Sequence, residues 1–413
     1  IEGAIQLINE YLTPSNHLAV GSNVTLYSES EATNRWHEEH PPTKDFLGGS
    51  NATGTPDCGF STHDYSLRVN RHLYLFSLPY AAQQLTNATL AKVYDGNDKE
   101  LMRCFHGGSQ QLMKETQESI KRVMNPSVMN SSHGKLYERL GFVLALNRLF
   151  SECNFQVTGA NADHLQLQVQ QIVEAKLNVA IPAYADTMVR AIRAGDLHPS
   201  ENLMLAPVGK GSLAMNNTGE GFEKRFTERL RAEINAMLGD SSEPYTGEIQ
   251  LLPNNDTRKV SVAEGMILLK ERGTANRPAA QIVEKEDPTE YYLSIICGDD
   301  EEAKQSFLDQ LETLNGQATR RQFLTLKEQI YDKAFDAIIR GYTYEMFEES
   351  FNRFGYTGTG DGSFDEALRT TAKDHFANIC SQLLSSRKDL IMSCPGIEKE
   401  LLCGAVIDLA LER

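Results

Sequence analysis

Hydrophobic residues recur every four positions at Phe222, Phe226, Leu230, Ile234 and Leu238. That spacing keeps one face of a helix apolar, and Gly239 directly behind it supplies a C-terminal stop. The stripe is expected to be core. From about Leu112 onward the period is helical in general: 136–150 forms one amphipathic run and 162–176 a second. A third opens at Ile181-Pro182, where proline suits a first helical turn, and ends near Gly195. Past Gly298-Asp-Asp-Glu-Glu302 the pattern predicts helices over about 301–314, 317–340, 343–353, 363–385 and 396–411. Ser363-Phe-Asp-Glu366 reads as a capping box that starts the fourth of these.

Strand character is confined to two regions. The first 110 or so residues are rich in Asn, Ser, Thr, Gly and His, with β-prone runs at 23–27 and 72–76. Between them the Gly- and Pro-rich stretch 45–57 reads as a loop. Strands are expected again at 247–253, 258–262, 266–270 and 291–297. The fold class this predicts is α+β: a mixed α/β body, a large helical insertion and a C-terminal helical bundle. The boundaries are 1–111 and 241–300 for the strand-bearing body, 112–240 for the insertion and 301–413 for the bundle.

Composition narrows the function classes. The 413 residues include 40 Lys+Arg against 56 Asp+Glu, a formal charge of −16. Such a surplus of carboxylates argues against nucleic acid as the main partner, because phosphate neutralisation needs Lys and Arg. No run of 18 apolar residues is present, so no membrane span is expected. Seven cysteines, none in a CxxC pair, point to a soluble protein of a reducing compartment. The sequons at Asn23, Asn51, Asn87, Asn130, Asn216 and Asn255 would suit a secretory protein, and the unpaired cysteines weigh against that.

Four stretches carry candidate chemistry. His37-Glu-Glu-His40 places its histidines three apart, not the four of a zinc-protease helix, so no metal is expected. Gly48-Gly-Ser50, Gly107-Gly-Ser109 and Gly209-Lys-Gly-Ser212 are able to cradle a phosphate, but none matches a Walker loop or dinucleotide fingerprint. Asp57-Cys58-Gly-Phe60 puts a thiol after a Gly/Pro-rich loop, a setting in which backbone N–H groups favour the thiolate. In outline it resembles the Asp-x-x-Cys stretch of ovarian-tumour-type cysteine peptidases, which implies an alternative activity on ubiquitin conjugates with Cys58 as nucleophile. A second alternative is a non-catalytic helical interaction protein.

Phe60-Ser61-Thr62-His63-Asp64 and Gly247-Glu248-Ile-Gln-Leu-Leu-Pro253 form the fourth. Together they resemble the Ser-Thr strand and the catalytic-Glu strand of mono-ADP-ribosyltransferase-type bacterial effectors. Ser28 and Thr246 stand where that family carries its opening Arg and its second acidic or amide residue. The resemblance implies a nucleotide-dependent, protein-modifying enzyme that uses NAD or ADP-ribose. Its site would have Glu248 stabilising the ribose cation, with Ser61 and Thr62 orienting it. Arg35, Arg68, His63 and Tyr27 would hold the cofactor. It further implies a protein substrate, ubiquitin or another host protein, and delivery by a bacterium into a host cytosol. One fixed carboxylate near the ribose fits the chemistry, since cleaving the nicotinamide bond develops positive charge there.

Overall fold

The computed structural model describes residues 29–40, 52–59, 62–78, 81, 102–107, 109–123, 154–156, 162–209, 211–212, 215, 218–252, 258–272, 281–282, 289–345, 348, 363–385, 388–393, 398 and 401–402. Tyr27, Ser28 and Ser61 lie outside them, as do the expected strand at 23–27, the helical run at 136–150 and the asparagines of all six sequons.

Chain order is α1 (Glu29–Glu39), β1 (Ala52–Cys58), β2 (His63–Val69), β3 (His72–Leu78), β4 (Phe105–His106), α2 (Gln110–Val123) and β5 (Asn154–Phe155). Then come α3 (Ala162–Asn178), α4 (Ile181–Arg193), β6 (Leu203–Leu205), α5 (Phe222–Leu238), β7 (Ile249–Leu251), α6 (Arg258–Arg272) and β8 (Gln281–Ile282). The last described elements are α7 (Thr289–Cys297), α8 (Glu301–Gln317), α9 (Arg320–Gly341), α10 (Ser363–Ile379), a π-helical segment (Cys380–Leu384) and α11 (Lys388–Ser393). The α+β class holds, with a mixed sheet, helices inserted between its strands and a C-terminal helical bundle.

Among the described residues six strands form one sheet in the order β7-β6-β1-β2-β3-β8, and β4 pairs with β5 separately. β1, β2 and β3 make an antiparallel meander, whereas β6 runs parallel to β1 and β7 parallel to β6. Side chains alternate across a strand, so each face of the meander is read from every second residue. Cys58, Tyr65, Leu67, Val69, Tyr74 and Leu78 lie on one face and join Tyr184 of α4 and Phe226 of α5 in the main core. The opposite face carries Thr53, Thr55, Ser66 and Arg68, all buried, and is covered by α1. Helix α6 packs behind α1. There Gly265 meets the Ala32 backbone so closely that a Cβ would lie 1.9 Å from the Ala32 carbonyl oxygen.

The helical expectations hold where they rest on strong periodicity. Phe222, Phe226, Leu230, Ile234 and Leu238 are all buried, and Gly239 closes α5 at φ 78°. Pro182 sits in the first turn of α4. In the bundle Leu311, Ile330, Ala334, Phe335 and Ile338 join Tyr292 and Leu293 in the core. Asp300 caps α8 by accepting the Ala303 amide, and Thr319 with Gln322 forms a capping box on α9.

Three expectations are corrected. Residues 52–58 form the central strand β1, not a loop. Gly54 is required there because Tyr65 Oη and Leu205 Cδ2 occupy the place of a Cβ, at 2.5 and 2.6 Å. Residues 258–262, 266–270 and 291–297 are helical, not strands, so the described part of 241–300 adds only β7 and β8 to the sheet. Burial of Thr289, Tyr292 and Leu293 follows a helical spacing, which overrides the β propensity of Tyr and Ile. Within 112–240, Leu203–Leu205 is a strand between β1 and β7, and α4 packs on β2 and β3.

Candidate functional site

The parallel strands β1, β6 and β7 end at a common edge. Open α/β sheets bind their ligands outside such carboxyl ends, where connections leave in different directions. After β6 the chain keeps pairing with β1: Ala206 and Val208 amides donate to the Gly54 and Pro56 carbonyls at 2.8 and 2.7 Å, and the Cys58 amide donates to Val208 at 3.1 Å. Gly209 then turns away at φ 78°. A Cβ on it would lie 2.3 Å from Asp57 Oδ1 and 2.6 Å from the Cys58 carbonyl oxygen. Two turns, 58–62 and 208–212, are thus pressed together at this edge with glycine at the contact.

The first turn is closed by the Gly59 amide donating to the Thr62 carbonyl at 2.9 Å. The second is closed by Ser212, whose hydroxyl donates to Gly209 O at 2.7 Å. Asp57 and Asp64 are directly opposed across β1 and β2 and therefore share a face. Asp64 accepts from the Thr62 hydroxyl at 3.3 Å and from the Ser77 hydroxyl at 2.5 Å, one bond to each oxygen. The edge presents glycine turns, three hydroxyls and a carboxylate pair. Gly-rich turns at strand ends let a ligand approach the backbone closely, and carboxylates beside them can orient a water.

The neighbouring face at the same edge carries a buried cluster. Cys58 is paired with His63, and His63 Nε2 is hydrogen-bonded to the Tyr184 hydroxyl. Burial drives the His63 pKa down to about 4, against a smaller upward pull from Asp64, and pushes the Tyr184 hydroxyl well above its ordinary value. His63 is 7% exposed and neutral at pH 7, and Cys58 is 1% exposed. A peptide carbonyl cannot reach this thiol in the folded state, which counts against the cysteine-peptidase alternative.

The pKa of His63 has a consequence for stability. Between about pH 6.5 and 4 the unfolded chain takes up a proton on this side chain and the folded chain does not. Stability therefore falls on acidification through that window, by about 3 kcal/mol for this group. In His63→Gln that increment is expected to vanish. Urea unfolding of both proteins at pH 7, 5.5 and 4 should show the difference between them shrinking by that amount, and parallel profiles would contradict it.

Among the described residues, those singled out for ADP-ribose chemistry do not assemble. Ala52, Leu203 and Ile249 are in register, so Glu248 stands at the amino edge, where its amide donates to Asn202 Oδ1 at 2.9 Å. Thr62 stands at the carboxyl edge, beside the Cys58–His63 pair. About eight residues of strand, ~26 Å, and three interstrand spacings, ~14 Å, separate the two. The strand direction forbids a shared cleft. Arg35 and Arg68 are 4% and 6% exposed in the layer beneath α1, with Arg35 Nη2 at 2.9 Å from Glu39. His63 points to the other face, so the cofactor set is split across the sheet.

At the end of α1 the rings of Trp36 and His40 stack at 4.2 Å, and His37 packs edge-on at 5.0 Å. Among the described residues no group of three His, Cys, Asp or Glu side chains is placed to hold a metal. No described helix is long and apolar enough to cross a membrane. Comparison of the chain with protein-family models, with curated proteins and with solved structures finds no match.

Proposed function

We propose that this protein is a nucleotide-dependent enzyme whose phosphoryl group lies at the carboxyl edge of β1 and β6. The observation that carries this reading is the contact of Gly209 with Asp57 and Cys58, which presses two glycine turns together beside the Asp57–Asp64 pair. Lys210 and Ser61 belong to the same two turns in sequence. Glu248 has no part in this arrangement. ADP-ribose transfer in the form that relies on Glu248 therefore loses its support, while NAD and ADP-ribose remain among the nucleotides to be tried.

Calorimetric titration with ATP, ADP, NAD and ADP-ribose, followed by assays for phosphate and nicotinamide release, tests the proposal. At least one nucleotide should bind with a Kd below ~1 mM, about −4 kcal/mol. Glu248→Gln should bind it as the wild type does. Failure of all four to bind would overturn the reading, and loss of binding in Glu248→Gln would return the site to the amino edge.

A further inference from the structure

A helix packed on a sheet normally buries apolar side chains, yet beneath α1 the β1 and β2 rungs are polar, with buried Met204 and Leu73 on the flanking strands. On this face β1 and β2 present three cross-strand rungs: Thr53 with Arg68, Thr55 with Ser66, and Asp57 with Asp64 at the edge. Asn34 of α1, 0% exposed, bridges the middle rung. Its amide nitrogen donates to Ser66 Oγ at 3.1 Å, and its carbonyl oxygen accepts from the Thr55 hydroxyl.

We infer that Asn34 is a positioning residue for the Asp57–Asp64 pair, a role that rests on the phosphoryl-site reading of that edge. One side chain from a third element ties both strands together immediately inside the carboxylates. It thereby fixes how far apart and at what rotation they stand. Asp64 is held from the other side by Thr62 and Ser77, and Asp57 lies against Gly209. α1 is itself braced from behind, since Ala32 meets Gly265 and Trp36 Nε1 donates to Glu264 at 2.7 Å. Apolar residues of similar size would fill the same layer without leaving polar groups to satisfy, so the gain from the polar rung lies in geometry. Reacting groups held by such outer contacts lose rate before they lose ligand when the contact goes.

The test compares wild type, Asn34→Ala and the double variant Thr55→Val/Ser66→Ala, which removes the same bonds with apolar side chains. Two quantities are read: the nucleotide Kd against turnover, and the titration of the Asp57 and Asp64 carboxyl carbons by NMR. The expected result is a ~10- to 100-fold fall in turnover with Kd changed less than about twofold. The two carboxyl titrations should shift in both variants. Leu230→Ala, a core truncation in α5, serves as the destabilised control and should leave those titrations in place. Superimposable carboxyl titrations in wild type and variants would overturn the role of Asn34. So would a fall in turnover matched by the Leu230→Ala control. Should the wild type bind no nucleotide, the proposed function fails by itself, and the carboxyl titrations still decide Asn34.

Discussion

Gly209→Ala is expected to abolish nucleotide binding and to destabilise the fold by about 3 kcal/mol. Two effects add. The left-handed φ of 78° alone disfavours any residue with a Cβ by ~1–2 kcal/mol. The new methyl group would also lie 2.3 Å from Asp57 Oδ1 and 2.9 Å from the Cys58 carbonyl carbon. The second neighbour is backbone and cannot swing aside, so one of the two turns must move, an overpacking worth a further ~1–3 kcal/mol. The displaced turn belongs to the proposed phosphoryl site, and Asp57 would be pushed from its place opposite Asp64. Calorimetry and urea unfolding measure the two effects separately. Gly195→Ala, also at positive φ but with nothing within 4 Å of the added atom, isolates the backbone contribution and should bind nucleotide normally.

Gly265→Leu should separate α6 from α1 and cost ~3 kcal/mol or more. Even an alanine Cβ would approach the Ala32 carbonyl carbon to 2.5 Å, and leucine adds three heavy atoms beyond it. Once the helices part, Trp36 Nε1 loses Glu264 as its acceptor. Trp36 is the only tryptophan, so its emission reports this joint alone and should move to longer wavelength as water reaches the indole. Gly316→Ala in α8, where nothing lies within 4 Å, should instead leave stability unchanged or raise it by ~0.5–1 kcal/mol. An unchanged Trp36 spectrum in Gly265→Leu would show that the two helices do not meet at this glycine.

Helices announced themselves in the chain wherever an apolar face repeated over several turns, as at Phe222 to Leu238, because burial there depends on spacing within one element. Sheet partners were harder to see. Gly54 and Pro56 have the chemistry of a turn, and their strand conformation follows from Tyr65, Leu205 and Val208, which are distant in sequence. Leu203–Leu205 is too short to show a period of its own. Helix α6 carries Val260 and Val262, which favour strands, but its position is set by Gly265 against Ala32.

The same limit governed the site. The Asp57-Cys58-Gly59 turn and the Gly209–Ser212 cluster were each legible as local features. Only the pairing of 206–208 with 54–58 brings them together. Glu248 and Thr62 looked compatible as motifs because spacing along a chain carries no strand direction. Parallel pairing of β7, β6 and β1 places them at opposite edges.

Hydrogen–deuterium exchange with and without the nucleotide that binds most tightly locates the ligand directly. Protection should appear in peptides covering 57–64 and 206–212, with the peptide covering 246–250 unchanged. Protection centred on Glu248 and Asn202, with the carboxyl edge exchanging as before, would contradict the placement of the phosphoryl site.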